Sequence, residues 1–248
     1  MKNKKASKTI IIVPTYNEKG NIKTVYEKIF KSARGSHLLI VDDGSPDGTG
    51  KIAEGFARKD RRVFVVHRTG KMGLGSAYVH GMRWALEKGY HNVIAMDADL
   101  SHDPVNLPKM LHLIERYDLV IGSRYVQDGG MVNWGLGRFF ISRLANLFCR
   151  TVLAIPQADC SGGFKCYRTD LLRKIGLENI FSRGYSFQVE ILYRAIRAGA
   201  RIIEIPIIFV NRHEGESKLS MHELYQFGLT VIKLKYFSLV GKISKDNR

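Results

Sequence analysis

The sequence predicts an α/β fold with a mostly parallel central sheet and helices on both faces. Short apolar runs alternate with amphipathic stretches through the first half of the chain, which is the pattern of repeated β-α-β units. With 248 residues, 45% of them hydrophobic and 25% charged, the chain can fold around a substantial core. We expect one domain over residues 1–218 and an amphipathic tail over residues 219–248.

The elements of the first half follow one another regularly. The predicted strands are residues 9–13, 37–41, 63–66, 93–96 and 119–121. The predicted helices between them are residues 21–33, 46–58, 74–88 and 104–116. Ligands of such sheets bind at the carboxyl ends of the strands, so a site is expected at that edge.

The second half is less regular. It contains a glycine-rich loop near residues 129–137, helices at 138–154 and 187–198, a strand at 164–167, a β-rich segment at 201–210 and an amphipathic helix at 219–240. The helix at 138–154 mixes phenylalanine and leucine with Arg138, Arg143 and Arg150. This helix and the tail helix could lie in a membrane interface. The alternative is that both pack on the core.

The net charge of +16 should draw the chain to polyanions, and nucleic acid, anionic membrane and phosphorylated substrates all qualify. No nucleic-acid-binding module and no basic stretch interleaved with aromatic residues is found, so nucleic acid is not expected as a partner. No run of about 18 apolar residues predicts a membrane span. The apolar run near the N-terminus ends at Pro14 and is too short for a signal sequence.

The cysteines favour a reducing compartment. Cys149, Cys160 and Cys166 are an odd number and have no CxxC spacing, so neither a disulfide framework nor a zinc site is predicted. A cytoplasmic protein fits this pattern.

Polar clusters follow three predicted strands directly, at residues 15–18, 42–45 and 97–99. Strand periodicity should point the carboxylates of Asp97 and Asp99 to the same side. Two carboxylates so placed suit Mg²⁺ or Mn²⁺ bound jointly with a diphosphate. The alternative is a turn or helix cap continuing through residues 102–104.

The cluster that begins at Asp42 and Asp43 also has two interpretations. One carboxylate could accept paired N–H donors from a nucleobase. Alternatively, residues 44–47 simply form a turn and a helix start. Residues 71–77 resemble a phosphate loop but lack the full glycine pattern, and a tight helix start explains them better. In that case Gly75 and Ala77 let the helix approach the sheet.

Cations follow strands in the second half. Arg124 comes after a predicted strand, and Arg212 and Lys218 belong to a loop after the β-rich segment. Cations on such loops can stabilise the charge of a leaving diphosphate. The alternative is that they are ordinary surface cations.

The order of the motifs is more specific than any one of them. The first half contains Val-Pro-Thr-Tyr-Asn-Glu (13–18), Val-Asp-Asp-Gly-Ser-Pro-Asp-Gly-Thr (41–49), Gly-Leu-Gly-Ser-Ala-Tyr (73–78), Met-Asp-Ala-Asp-Leu-Ser-His-Asp-Pro (96–104) and Gly-Ser-Arg-Tyr (122–125). This order resembles the family 2 glycosyltransferases of GT-A fold. Segments 159–168, 184–190 and 211–219 resemble the dolichyl-phosphate or polyprenyl-phosphate mannose synthases of that family. The resemblance runs from about residue 10 to residue 219.

The resemblance implies roles for individual residues. The nucleoside would be held by Pro14, Tyr16, Glu18, Val41 and Asp43. The metal ion, Mg²⁺ or Mn²⁺, and the diphosphate would lie at Asp97, Ala98 and Asp99, with Ser101 where many relatives carry Gln as a further metal ligand. Arg124, Arg212 and Lys218 would close over the phosphates, with Asp99 completing the catalytic set. The lipid phosphate would lie near Arg124, Arg138 and Ser142.

The implied activity is transfer of mannose from GDP-mannose to dolichyl or another polyprenyl phosphate, with inversion at the anomeric carbon. The alternative is glucose or another sugar from a UDP donor, because Asp43 can accept from uracil as well as guanine. No general base is expected, since a phosphomonoester is mostly dianionic near pH 7. A polyprenyl acceptor stays in the bilayer and no membrane span is predicted, so we expect peripheral attachment to the anionic cytosolic face of a membrane, and a membrane-anchoring partner protein is a further candidate.

Overall fold

The computed structural model describes residues 8–182, 184–211 and 221–243. The strands are β1 Thr9–Thr15, β2 His37–Asp42, β3 Val63–His67, β4 Asn92–Ala95, β5 Leu119–Ser123, β6 Gly130–Val132, β7 Lys165–Arg168, β8 Ile202–Pro206 and β9 Ile208–Val210. The α-helices are α1 Ile22–Ser32, α2 Thr49–Lys59, α3 Leu74–Glu87, α4 Leu107–Leu113, α5 Leu136–Leu153, α6 Thr169–Ile175, α7 Ser186–Arg197 and α8 Met221–Leu239. Short 3₁₀ helices occupy Pro104–Asn106 and Leu177–Asn179.

The central sheet has the strand order β3-β2-β1-β4-β7-β5-β8. Neighbouring strands are parallel except at β7, which runs antiparallel to both β4 and β5. The prediction of a mostly parallel α/β sheet is therefore confirmed, whereas the reversed direction of β7 was not predicted. Strands β6 and β9 form a separate parallel pair.

Helices cover both faces of the sheet. Along β1, Ile10 and Ile12 belong to one hydrophobic cluster while Ile11 and Val13 belong to the other. One cluster includes side chains of α3, α5, α6, α7 and α8, and the other includes side chains of α1, α2 and α4. Burial on both faces explains why the strands are continuous apolar runs rather than alternating ones.

Helix α3 lies close to both the sheet and α7 because two of its residues lack a side chain. A Cβ on Gly81 would lie 2.7 Å from Ile12 Cγ2, and one on Gly75 would lie 2.8 Å from Phe187 Cβ. Gly81 therefore allows α3 to approach the sheet. The expectation for Gly75 was wrong, since Gly75 faces α7.

Helices α5 and α8 confirm the two amphipathic segments of the second half. They contact each other, and α8 buries Val231 and Leu234 in the core. Each helix also exposes an apolar face. The predicted boundary at residues 218 and 219 lies outside the described residues. In the part of the chain that is described, no helix combines the length and the apolar character needed to span a membrane.

Candidate functional site

A cavity of about 570 Å³ opens at the carboxyl edge of the sheet. This volume is in the range of small-ligand sites, which is about 300–1,000 Å³. Its lining includes the predicted site residues Pro14, Tyr16, Glu18, Asp43, Asp97, Ala98, Asp99, Ser101, Arg124, Arg138 and Ser142. Residues far apart in sequence meet here because β1, β2 and β4 are parallel neighbours whose carboxyl ends share one edge.

Three predicted site residues are not placed in the lining. The side chain of Val41 is buried in the core, so its contribution to a nucleoside site stays a prediction. Arg212 and Lys218 lie outside the described residues. A second hollow of about 610 Å³, between the start of α7 and α8, shares Tyr185 and Glu223 with the cavity. None of the predicted site residues lines this second hollow among those described.

Asp97 is held by two residues that the sequence did not reveal. Tyr78 Oη donates to Asp97 Oδ1 at 2.6 Å, and the Asp97 backbone N–H donates to His102 Nδ1 at 3.1 Å. His102 is buried and stacks on Phe164. Burial, reinforced by Asp97, raises the pKa of Tyr78 well above its usual value, so Tyr78 stays a neutral donor. Asp97 is thus fixed in place with its second carboxylate oxygen still able to bind a ligand.

Asp99 is supported from within its own loop. Ser101 donates to Asp99 Oδ1 through both its backbone N–H and its hydroxyl. Leu100 between them has a φ of 63°, in the left-handed region, which turns the chain back on itself. For a leucine this conformation costs roughly 1–2 kcal/mol. Ser101 therefore orients Asp99, whether or not it also approaches a metal.

The acidic pair offers hard oxygen ligands suited to Mg²⁺ or Mn²⁺. Within the described ranges, no group of three or more His, Cys, Asp or Glu side chains is placed to hold a metal ion. Asp97 and Asp99 both line the cavity, although neither belongs to β4 itself. Mg²⁺ is commonly bound by one or two carboxylates together with substrate phosphates. The chemistry of this donor set fits that mode of binding. Asp103 instead caps the short 3₁₀ helix.

The neighbouring carboxylates Asp42 and Asp43 have different roles. Asp42 accepts from Thr15 Oγ1 at 2.9 Å and from the Ser45 backbone at 3.1 Å, which is the turn interpretation. Asp43 lines the cavity and is paired with Arg68, a residue the sequence analysis missed. The only feature of the sequence that pointed to Arg68 was its position directly after β3. Arg68 Nε donates to Asp43 Oδ1 at 2.6 Å.

Residues 71–74 form the helix start that the sequence predicted. Gly73 precedes α3 with a φ of 93°, which explains the glycine at this position. The Met72 backbone N–H donates to Asp43 Oδ2 at 3.1 Å, so this turn is tied to the second strand end. Lys71 Nζ lies 4.7 Å from the ring centroid of Tyr16, and both residues line the cavity. A cation and an aromatic ring therefore flank the Asp43 end of the cavity.

Arg124 forms a buried ion pair with Asp159. Its Nε and Nη2 donate to the two Asp159 carboxylate oxygens at 2.7 Å each, and Nη2 also donates to Ser161 Oγ at 2.9 Å. Burial lowers the pKa of Arg124, but the Asp159 carboxylate outweighs burial and raises it overall. Asp159 is held in turn by its backbone N–H, which donates to Glu204 at 3.0 Å. The guanidinium is therefore rigid. No hydrogen bond from its Nη1 is found among the described residues.

Helix α5 forms another part of the cavity wall. Arg138 Nη1 donates to Asn211 Oδ1 at 3.0 Å, and its guanidinium lies 4.4 Å from the Trp134 ring centroid. Ser142 Oγ accepts from Tyr125 Oη at 2.7 Å. This wall thus presents a guanidinium and a hydroxyl to the same cavity that the acidic pair lines. Carboxylates that suit a cation and guanidinium groups that suit phosphate are typical of enzymes that act on phosphorylated substrates.

The chain belongs to glycosyl transferase family 2, whose family model matches residues 10–176. It is 46% identical over 213 residues to an undecaprenyl-phosphate mannosyltransferase of Micrococcus luteus, covering 86% of this chain and 88% of the relative. It is 42% identical over 240 residues to a polyprenol monophosphomannose synthase of Mycolicibacterium smegmatis, covering 96% of this chain and 89% of the relative.

Solved structures share the fold. Glucosyl-3-phosphoglycerate synthase from Mycobacterium tuberculosis, in complex with Mn²⁺, UDP and phosphoglyceric acid, matches with a TM-score of 0.67 at 20% identity, covering 92% of this chain and 77% of that one. A mannosyltransferase from Pyrobaculum calidifontis, in complex with GDP-Man and Mn²⁺, matches with a TM-score of 0.59 at 19% identity, covering 92% and 64%. At this identity the likeness concerns the fold alone, and it confirms the GT-A prediction.

Proposed function

We propose that this glycosyltransferase moves mannose from GDP-mannose to a polyprenyl phosphate, with inversion at the anomeric carbon. The names of the two sequence relatives support this acceptor and this sugar, because their identity of 42–46% extends over most of both chains. The observation that carries the proposal is the shared cavity. Its acidic pair suits the diphosphate of a water-soluble donor, while another part of its wall is a helix with an exposed apolar outer face.

The donor would occupy the end of the cavity near Asp43. The carboxylate of Asp43 is held by Arg68 and by a backbone N–H, and its remaining lone pairs can accept from a base. Tyr16, which is 37% exposed, offers an aromatic face beside it. Asp97 and Asp99 would hold the metal ion, which would neutralise charge on the diphosphate leaving group.

The acceptor phosphate would lie between Arg124 and α5. A phosphomonoester is mostly dianionic near pH 7, so its oxygen can attack without losing a proton to a base. Asp159 neutralises the charge of Arg124, which therefore contributes oriented N–H donors more than net positive charge. Arg138 and Ser142 of α5 line the same cavity. Arg212 and Lys218 remain predicted phosphate ligands of the loop outside the described residues.

The direct test is product formation. Purified protein would be incubated with polyprenyl phosphate, a divalent cation and either labelled GDP-mannose or labelled UDP-glucose, and lipid would then be extracted. We expect label in the lipid only from GDP-mannose, in a β linkage. Label from UDP-glucose alone would establish the alternative donor, and label from neither would refute polyprenyl-phosphate glycosylation.

The cavity wall also supports a peripheral position on the membrane. On α5 the exposed apolar side chains include Phe140, Leu144 and Leu147, which are 58–64% exposed and spaced along one face. On α8 the exposed apolar side chains are Tyr225, Leu229, Ile232, Tyr236 and Leu239. Arg143 and Arg150 are exposed on α5, and α5 contains no acidic residue. An apolar surface with basic side chains suits anionic lipid on the cytosolic side, where the acceptor phosphate would be reached.

Vesicle binding is therefore expected, with a preference for anionic over neutral lipid and with weakening by salt. Replacing Phe140, Leu144 and Leu147 together with serine removes about 1 kcal/mol of apolar burial per residue, so the partition coefficient should fall on the order of 100-fold. Co-sedimentation with vesicles of both compositions measures this.

The matched control is Val105→Ser, which changes a side chain that is 67% exposed on the short 3₁₀ helix packed against α1. It should bind vesicles like the wild type, and thermal unfolding should show that every variant is folded. If the triple variant also partitions like the wild type, the α5 face does not contact the membrane.

A further inference from the structure

A lysine is buried behind the cavity. Lys165 on β7 is fully buried, and its Nζ donates to the backbone oxygen of Gln188 at 3.2 Å and to Gln188 Oε1 at 3.0 Å. Gln188 is 2% exposed and lies in the first turn of α7, where it lines the cavity. The mechanism described above uses neither residue.

Lys165 determines which way the Gln188 amide faces. A lysine ammonium only donates hydrogen bonds, so the amide oxygen must face Nζ and the amide nitrogen must point away from it. Burial lowers the pKa of Lys165 to about 7. The neutral amine still has two N–H groups, enough for both observed bonds. Both observed bonds can therefore form in either charge state, but only the ammonium form, which has no lone pair to accept from the amide nitrogen, excludes the opposite orientation.

The amide nitrogen faces the same space beside Gly163 as Asp97. A Cβ placed on Gly163 would be 3.4 Å from Gln188 Nε2, 3.6 Å from Asp97 Oδ2 and 3.3 Å from His102 Cε1. All four of these residues line the cavity. No hydrogen bond from Nε2 is found within the described part of the chain. A nearly buried donor is thus left for a ligand, next to a carboxylate acceptor.

We infer that Gln188 Nε2 donates to a hydroxyl of the transferred sugar, and that Lys165 is the positioning residue that holds the amide in this orientation. A hydroxyl both donates and accepts, so it matches a wall that offers an N–H beside a carboxylate. A diphosphate oxygen could also accept from Nε2, and the affinity for GDP measured below distinguishes the two, since GDP carries the diphosphate but no sugar. This inference rests on the proposed function, and it adds a residue that discriminates between sugars.

The test compares GDP-mannose with its monodeoxy analogues. In the wild type, kcat/KM for one deoxy analogue should be about 10- to 100-fold lower than for GDP-mannose, because the buried N–H of Gln188 is left without its partner. In Gln188→Leu, kcat/KM for GDP-mannose should fall by a similar factor and the penalty for that deoxy donor should disappear. Affinity for GDP alone, measured by calorimetry, should change less than about twofold, since GDP lacks the sugar.

Two further variants guard against misfolding. Gln188→Met keeps the length of the side chain but lacks the N–H donor, so it should lose the same discrimination. Lys165→Met frees the amide to rotate. It should reduce the ratio of kcat/KM for GDP-mannose to kcat/KM for the deoxy donor, while the affinity for GDP is retained. A purely structural role for Lys165 would instead lower stability and GDP affinity and leave this ratio intact. Gln157→Leu, the same change outside the cavity lining, is the control.

The inference is overturned if the Gln188 variants keep the wild-type ratio for every deoxy donor. It is also overturned if they lose GDP and GDP-mannose affinity equally. Failure of the proposed function has a different signature, since the wild type would then not mannosylate polyprenyl phosphate at all. Calorimetry with GDP and GDP-mannose still tests Gln188 in that case, because it requires no acceptor.

Discussion

Replacing Asp99 with alanine is expected to abolish sugar transfer while the protein remains folded. Asp99 lines the cavity, and both donors of Ser101 orient its carboxylate. A metal ion that stabilises a leaving diphosphate contributes several kcal/mol, and about 4 kcal/mol corresponds to roughly 10³-fold in rate. Transfer by the wild type should likewise stop in excess EDTA and return when Mg²⁺ or Mn²⁺ is added.

The control for this prediction is Asp103→Ala. Asp103 lies in the same acidic segment, but its carboxylate caps the short 3₁₀ helix by accepting from the Val105 backbone at 3.0 Å. Loss of such a cap costs about 1 kcal/mol of stability, and transfer should continue. Full turnover by the Asp99 variant, or by the wild type in EDTA, would show that the acidic pair does not hold a catalytic metal.

The second large effect is expected on stability. Asp159→Asn leaves the guanidinium of Arg124 buried without its counter-charge, and breaking a buried pair in this way costs about 3–5 kcal/mol. For a chain of this length the melting temperature should fall by roughly 10 °C. Asp118→Asn is the matched control, because Asp118 pairs with Arg201, whose side chain is 63% exposed. That change should cost less than about 1 kcal/mol.

The pH dependence of stability gives an independent readout. Burial raises the pKa of Asp159, but the ion pair and hydrogen bonds with Arg124 outweigh burial and hold it below its usual value. A carboxyl whose pKa is lowered by folding stabilises the protein fully at pH values above its pKa in the unfolded state. This stabilisation is lost as the pH falls through its pKa in the folded state. The wild type should therefore lose stability below about pH 4. In Asp159→Asn the free energy of unfolding should depend less on pH in this range.

A double variant separates stability from chemistry. Arg124→Met with Asp159→Asn removes both charges of the buried pair, while the asparagine oxygen can still accept from the Gly162 backbone N–H, which donates to Asp159 at 2.8 Å. We expect this double variant to be more stable than Asp159→Asn alone and to have lost transfer, because no buried charge is left unpaired and the Arg124 donors are absent. Normal transfer by the double variant would remove Arg124 from the site. A melting temperature unchanged in Asp159→Asn would mean that water screens the pair.

Much of the site was predictable because its residues follow strands directly. The end of a buried run is visible in the sequence, and parallel strands bring such ends to one edge, so Tyr16, Asp43 and Asp97 were predicted to lie together. The apolar and basic composition of α5 also predicted an outer face that the structure leaves exposed. These features depend on local periodicity, which a single sequence records.

Other features depend on which segments become neighbours, and only the tertiary structure decided them. The sequence predicted a strand at 164–167, but the antiparallel insertion of β7 between β4 and β5 requires pairing with strands far away in the chain. That insertion buries Lys165 behind the cavity. The same holds for Tyr78 on Asp97, Arg68 on Asp43, Asp159 on Arg124 and Gln188 on Lys165. Each partner comes from a different element, and local residue patterns do not encode the geometry that joins them. The sequence by itself determined the fold class and the edge that holds the site, whereas long-range packing decided how each functional side chain is oriented.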